Sequence, residues 1–277
     1  MLIKTLYYPN KFMKFFTYLV CYHKTWNYNC MKILGLIPTR LGSTRLPSKP
    51  LLEINNIPLI IHTYKRAKMS KLLDDVIICC DDIKILNIAK KFNAKAILTS
   101  KKHKNGTERI AEGFLKQKKK YDFIVDIQGD EPLLNPKHID QVIKFHSKNI
   151  KTDIILPSLK LKNPDNSNIV KVITDVKDNI IFLSRVKLPL EFKNEFKDHK
   201  KHLSIISFTP SALIKFVKFK KTPLEKSEDV ELLRALEIGL KMKTLLLKGD
   251  SFSVDVLTDF ERAVQEFKKD KLLKDYK

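Results

Sequence analysis

A chain of 277 residues suits one large domain or two small ones with ample core, and 43% hydrophobic with 30% charged residues makes it globular rather than disordered. The formal charge of +22 admits a nucleic-acid partner, but the lysines are scattered along the chain rather than massed in one arm, so background composition plus an anionic small substrate is the better account. Cys21, Cys30, Cys79 and Cys80 form no Cys-x-x-Cys pair, which argues against zinc and against a disulfide scaffold and fits a reducing cytoplasm.

Residues 1–30 do not belong with the rest. Lys11 and Lys14 precede the apolar run Phe15–Tyr22, which is too short to span a bilayer and lacks a small-residue cleavage site. This stretch reads as a loose extension or a mispredicted start ahead of Met31, and no stable membrane association is expected. From Met31 the pattern alternates strand and helix. Lys32–Pro38 reads as a strand. Leu51–Ile54 and the turn Asn55-Asn56 lead to a helix from Pro58 to Met69. Val76–Cys80 is a second strand, with Cys79 and Cys80 on opposite faces, and Asp81-Asp82 start a helix to Phe92. Ala96–Leu98, a helix from Gly106 to about Gln117, Phe123–Ile127 and a helix from Pro136 to Phe145 follow. Repeated β-α units predict an α/β fold with a mainly parallel, doubly wound sheet.

After about residue 150 the pattern changes. Ile154–Leu161, Val170–Val176, Ile180–Leu183 and Leu203–Phe208 read as strands of an antiparallel lobe at about 155–225. A helix from Glu228 to Leu240 closes at Gly239. Met242–Leu247 and Phe252–Val254 read as strands, and Thr258 with Glu261 has the spacing of a capping box. With no long linker, residues 31–277 read as a single domain.

Three segments carry chemistry. The loop after the first strand, Thr39-Arg-Leu-Gly-Ser-Thr-Arg-Leu-Pro-Ser-Lys-Pro50, cannot be helical and sets Arg40, Arg45 and Lys49 among the small donors Thr39, Ser43 and Thr44. A loop leaving the carboxyl end of a parallel strand is where open α/β sheets bind ligands. Guanidinium and ammonium groups there suit a polyphosphate; a solvated basic loop is the alternative. Asp126-Ile-Gln-Gly-Asp-Glu-Pro132 ends the fourth strand on the same edge. Carboxylates facing a phosphate cradle repel it unless a cation lies between, and magnesium, bound through one or two carboxylates plus phosphate oxygens, resolves this. Asp255, after Val254, is a candidate second carboxylate. His103-Lys-Asn-Gly-Thr-Glu-Arg109 opens a helix whose exposed amides suit an anion or a base edge. No P-loop and no Gly-x-Gly-x-x-Gly occurs, against an ATPase or a dinucleotide enzyme.

Ser43-Thr-Arg-Leu-Pro-Ser-Lys-Pro-Leu51 resembles the amino-terminal signature of the CMP-Kdo synthetases, the 3-deoxy-manno-octulosonate cytidylyltransferases. Gln128-Gly-Asp-Glu-Pro132, Val254-Asp-Val-Leu-Thr-Asp-Phe260, His103–Arg109, Phe182–Pro189, Lys201–Ile206 and Thr222–Arg234 resemble further segments of that family, in order. The departures are Ser48 for the family's usual Gly, Leu232 for Gln, Ser204 and Ile206 for Gly and Tyr, Asn105 for Ser, and Val256-Leu257 for Thr-Pro. The resemblance implies a nucleotide-diphospho-sugar transferase type of Rossmann-like fold and transfer of CMP from CTP to an acidic 2-keto-3-deoxy sugar, with Mg2+. It implies catalytic Arg45, Lys49 and Asp130. Nucleotide contacts are expected from Arg40, Ser43, Arg45, Lys49, Asn105, Gly106 and Gln128. Sugar contacts are expected from Arg109, Gln128, Arg185, His202, Glu228 and Glu231, and metal ligation from Asp130 and Asp255. Leu232 would offer apolar surface where relatives offer an amide, which leaves an amino-substituted octulosonate or a sialic acid open beside Kdo. A cytoplasmic homodimer that binds no nucleic acid is the expected state; a basic nucleic-acid-binding protein is the alternative of another class.

Overall fold

The computed structural model describes residues 31–277; the expectations for residues 1–30 lie outside the described residues. The chain enters on β1 (Ile33–Thr39), buried at every position, as a strand covered on both faces must be. A hairpin of two-residue strands, β2 (Glu53–Ile54) and β3 (Ile57–Pro58), turns on Asn55 and Asn56, both at positive φ. It delivers the chain into α1 (Leu59–Lys68). Then come β4 (Asp75–Cys80), α2 (Ile83–Lys91), β5 (Ala96–Leu98), α3 (Gly106–Leu115), β6 (Phe123–Ile127) and α4 (Pro136–Lys148). The Asp82 carboxylate accepts from the Lys84 amide at the start of α2, and Asn105 Oδ1 from the Glu108 amide at the start of α3, as N-cap residues do. β1 pairs in parallel with β4 and β6, and β4 with β5. Cys80 packs in the apolar cluster on one face of this sheet and Cys79 in the cluster on the other, as strand alternation requires.

The second half departs from the expected boundaries. Ile154–Leu161 is two strands, β7 (Ile154–Ile155) and β8 (Ser158–Lys160), in different sheets. Pro157, which has no amide to donate, marks the switch. β9 (Lys171–Thr174) and β10 (Ile180–Ser184) form an antiparallel hairpin. β11 (Lys200–His202) precedes β12 (Ile205–Phe208), so the strand expected over Leu203–Phe208 is shorter. An unanticipated helix, α5 (Pro210–Lys218), follows, its Ala212 amide donating to Thr209 Oγ1.

The single helix expected over Glu228–Leu240 is instead α6 (Pro223–Glu228) and α7 (Leu233–Glu237). The break is at Asp229, whose φ of 50° is left-handed. Arg185 draws the carbonyls of Glu228 and Asp229 onto its guanidinium, at 3.0 and 3.1 Å, away from any helical ladder. Met242–Leu247 divides into β13 (Met242–Lys243) and β14 (Leu246–Leu247). Phe252–Val254 is not a strand; it is held by the Val254 amide donating to the Asp130 carbonyl at 2.9 Å. The last long helix, α8 (Leu257–Phe267), is not capped by Thr258 and Glu261. Asp259 Oδ2 accepts from the amides of Asp255 and Val256 instead, because the helix is capped at Val256, two residues before Thr258.

The main sheet runs β13-β7-β12-β6-β1-β4-β5, with β12 antiparallel to β6 and to β7. A second sheet, β10-β9-β11-β8-β14, stands beside it. The fold is therefore α/β with a mostly parallel central sheet and a largely antiparallel companion. The carboxyl ends of β1 and β6 and the floor of the second sheet open towards the same space. Among the described residues no helix is long and apolar enough to cross a membrane.

Candidate active site

Two cavities meet at the carboxyl end of β6. The first, of about 290 Å³, is lined by Thr39, Arg40, Ser43, Thr44, Arg45 and Lys49 from the loop after β1. His103, Lys104, Asn105, Gly106 and Arg109 line it from the start of α3, and Gln128, Gly129, Asp130 and Asp255 close it. All the sequence-derived nucleotide candidates are therefore in one place. Close packing makes this possible. A Cβ on Gly129 would come within 2.7 Å of the Pro38 carbonyl and 2.9 Å of Ile60, so only glycine lets β6 turn against β1. Ser48 holds a φ of 53°, a left-handed conformation that explains why glycine is usual in that signature.

The charges in this cavity interlock. Lys49 Nζ donates to Asp130 Oδ2 at 2.8 Å and to Asp255 Oδ1 at 3.2 Å, and Arg45 Nη2 donates to Asp255 Oδ1 at 3.1 Å. The loops carrying the two acids are locked together by the Val254–Asp130 backbone bond and by Ser251 Oγ donating to Glu131 at 2.6 Å. Glu131 is thus turned inward, its carboxyl pushed up to about 7 chiefly by burial, and Asp130 alone of the adjacent acids faces the cavity. Arg109 lies with this first group rather than with the sugar candidates: its guanidinium donates to Thr99 Oγ1 and the Ser100 carbonyl and sits 3.6 Å from Asp81.

The second cavity, of about 260 Å³, shares Gln128 and Asp130 with the first. One side is polar: Thr107, Asp126, Glu231, Arg185, His202 and Ser204. The other is apolar, with Leu156, Leu183, Ile206 and Leu232 prominent. Two buried polar atoms here lack any protein partner, His202 Nδ1 and Glu231 Oε1. Buried polar groups are normally bonded, so these are the atoms a polyhydroxylated ligand would satisfy. Burial holds His202 neutral, its pKa lowered to about 4, and raises Glu231 to about 7. Glu228 does not line this cavity. Its carboxylate accepts from the Arg185 amide at 2.9 Å and from Ser184 Oγ, so it fixes Arg185 rather than offering an oxygen to the space.

A family model described as cytidylyltransferase matches residues 34–244. The chain belongs to the cytidylyltransferase family. It is similar to a 3-deoxy-manno-octulosonate cytidylyltransferase of Thermodesulfovibrio yellowstonii, 38% identical over 84% of this chain and 97% of the relative. It is likewise similar to the one of Fusobacterium nucleatum, 39% identical over 87% and 99%. A solved structure of CMP:2-keto-3-deoxy-manno-octonic acid synthetase complexed with CTP superposes with a TM-score of 0.82 at 26% identity, covering 86% of this chain and 99% of the other.

This cytidylyltransferase carries two site residues that sequence reasoning missed. Asp126 is 1% exposed, and both its oxygens accept from Gln128 Nε2, at 3.2 and 3.1 Å. It thereby fixes the Gln128 amide at the junction of the cavities. Burial first, then the nearby charge of Glu231, holds its carboxyl well above the usual range. Residues 126, 128 and 130 recur at the strand period of two, which was the signal available in the sequence. Asp81 accepts from the Leu41 amide at 3.0 Å and faces Arg109, tying the basic loop to α3. Nothing in its local sequence distinguished it from a helix-start acid.

Proposed function

We propose that this chain transfers CMP from CTP to the anomeric hydroxyl of 3-deoxy-manno-octulosonate, releasing pyrophosphate and supplying activated sugar for lipopolysaccharide synthesis. The observation that carries the reading is the junction itself: a cationic cavity and a polyol-sized cavity share Gln128 and Asp130. A triphosphate in the first presents its α-phosphorus at that junction. The sugar hydroxyl oxygen attacks there, the bond from the α-phosphorus to the bridging oxygen breaks, and pyrophosphate leaves with the electron pair. The hydroxyl proton is lost to solvent.

Such a transfer asks the protein for position and charge rather than covalent chemistry. Arg40, Arg45 and Lys49 hold the phosphates and neutralise the departing pyrophosphate. The amides of Asn105 and Gly106, at the start of α3, face the nucleotide. Arg185 receives the sugar carboxylate, and His202 and Glu231 accept from hydroxyls. The donor set fits magnesium: Asp130 and Asp255 converge on one ammonium, and two carboxylates beside a polyphosphate are what Mg2+ takes. Bound there, the ion would supply charge across nucleotide and sugar and lower the pKa of the attacking hydroxyl. A cytoplasmic homodimer belongs to the same proposal; Leu190 and Phe192, 83% and 85% exposed on the lobe, suit contact with a second copy.

The test is pyrophosphate release from CTP across a panel of acidic sugars, with and without magnesium. Release is expected only when CTP, magnesium and Kdo are all present. Release with a sialic acid but not with Kdo would overturn the assignment. A protein that releases none, yet shifts a DNA or RNA probe with a steep salt dependence, would replace it with a nucleic-acid function.

A further inference from the structure

The ligands of the first cavity must undo a set of ion pairs before they can bind. Lys49 donates to both acids of the site and Arg45 to one of them. The Lys49 and Asp130 side chains are only 15% and 26% exposed, so water screens this pair poorly. The backbone under Lys49 is fixed: it opens a 3-10 turn over Lys49–Leu51 in which the Leu51 amide donates to Ser48 and the Leu52 amide to Lys49. Only the flexible four-carbon stem is free to move the ammonium.

We propose that Lys49 is a place-holding cation. In the free protein its ammonium occupies the position between Asp130 and Asp255 that a divalent ion takes, and it crosses to the phosphates when nucleotide arrives. The inference rests on the triphosphate-and-metal reading of this cavity and adds a consequence to it. A divalent ion arriving alone must expel Lys49 and leaves it, with Arg45, unpaired beside a second positive charge. A triphosphate arriving alone draws Lys49 and Arg45 away and leaves two carboxylates unpaired beside a polyanion. Arriving together, they exchange partners and every charge stays compensated. Metal and nucleotide therefore bind with positive coupling, and the coupling is reciprocal.

The experiment is Mn2+ binding to the nucleotide-free protein, followed by the paramagnetic signal of free Mn2+. Parent, Lys49→Met, Lys104→Met and Asp130→Asn are compared. Lys104 lines the same cavity and makes no side-chain bond to Asp130 or Asp255, so its variant controls for a general change of charge. Lys49→Met should tighten Mn2+ by about tenfold or more, since it removes a charged partner from a half-buried carboxylate; Lys104→Met should tighten it by about twofold at most, the residue of a screened interaction. In equilibrium dialysis, Mg2+ should tighten CTP in the parent by about five- to 150-fold, the usual span of such couplings, and by clearly less in Lys49→Met. Lys49→Met that binds Mn2+ no better than Lys104→Met overturns the place-holder. Should Lys49→Met not fold, Arg45→Met reads the same exchange at Asp255 and should tighten Mn2+ more than Lys104→Met; equality there overturns it as well. Failure of the underlying reading looks different: the parent would bind no Mn2+ with or without CTP, and Asp130→Asn would change nothing.

Discussion

Replacing Arg234 by Met should cost both stability and sugar affinity, and the structure sets the size. Arg234 Nε and Nη2 fork onto the two oxygens of Glu225 at 2.7 and 2.6 Å, and Nη1 donates to the Phe219 carbonyl at 3.2 Å. The two side chains are 1% and 2% exposed, and the guanidinium lies 4.5 Å from the Phe216 ring centroid. Methionine fills the volume but leaves Glu225 buried with only the Thr222 amide, at 3.3 Å, as a direct partner among these bonds. Breaking one side of a buried pair costs about 3–5 kcal/mol. At roughly 2–4 °C per kcal/mol for a domain of this size, the melting temperature should fall by roughly 6–20 °C. The pair also ties α6 to α7 across the Asp229–Leu232 bend, where the Arg234 amide donates to the Glu231 carbonyl at 3.2 Å. Steady-state kinetics should therefore show a raised KM for sugar with an unchanged KM for CTP. Urea unfolding of Arg234→Met, Glu225→Leu and the double variant is the assay. The double variant should lie nearer the parent than either single, because it leaves no lone charge. A loss below about 1 kcal/mol in Arg234→Met, the level of an exposed pair, would refute the reasoning, as would strict additivity of the two changes.

Asp130→Asn and Asp255→Asn should each abolish most turnover while leaving the unfolding midpoint near that of the parent, because both acids face the cavity; near-normal pyrophosphate release by both at limiting magnesium would count against the metal assignment. Leu232→Gln should raise kcat/KM for Kdo relative to an amino or deoxy analogue by about tenfold, the worth of one neutral hydrogen bond at 1–2 kcal/mol; an unchanged ratio would place Leu232 outside the sugar's reach. His146 is buried between Ser207 Oγ and the Thr152 carbonyl, and burial lowers its pKa to about 4. The unfolded chain therefore takes the proton first, so this residue's contribution is complete above its ordinary 6.5 and is lost as pH falls from there towards 4. His146→Gln should flatten the pH dependence of the urea midpoint between pH 7 and 5; an identical slope in both proteins would refute that attribution.

The parallel half of the fold was legible because each element there is specified locally. β1, β4 and β6 are mostly apolar runs, and Asp82, Asn105 and Pro136 mark where helices begin. The basic loop and Asp130 were legible for the same reason: motif, strand end and turn lie within a few residues of one another. The second half is specified by contacts between distant segments. Nothing within Glu228–Leu240 announces a break at Asp229; the cause is Arg185, more than forty positions earlier, taking the helix carbonyls. Nothing within Phe252–Val254 says that its amide goes to Asp130 rather than to a neighbouring strand.

The same distinction explains why Asp126 and Glu231 matter together. Asp126 sits in an apolar strand and Glu231 in a polar bend, and separately each reads as ordinary. The fold brings both to one wall of the second cavity, where burial raises both carboxyls and the charge of Glu231 raises Asp126 further. Among the groups around the two acids, Gln128 and Thr107 are neutral, Arg234 is already forked onto Glu225, and Arg185, which lines the same cavity, is bonded to the carbonyls of Glu228 and Asp229. Glu231, its pKa raised to about 7, can donate to a sugar oxygen as well as accept from a hydroxyl. The first cavity does the reverse, with Lys49 and Arg45 paired to Asp130 and Asp255. One side is therefore built to recognise hydroxyls and the other to exchange ions, and Gln128, clamped by Asp126, is the residue where the two environments meet.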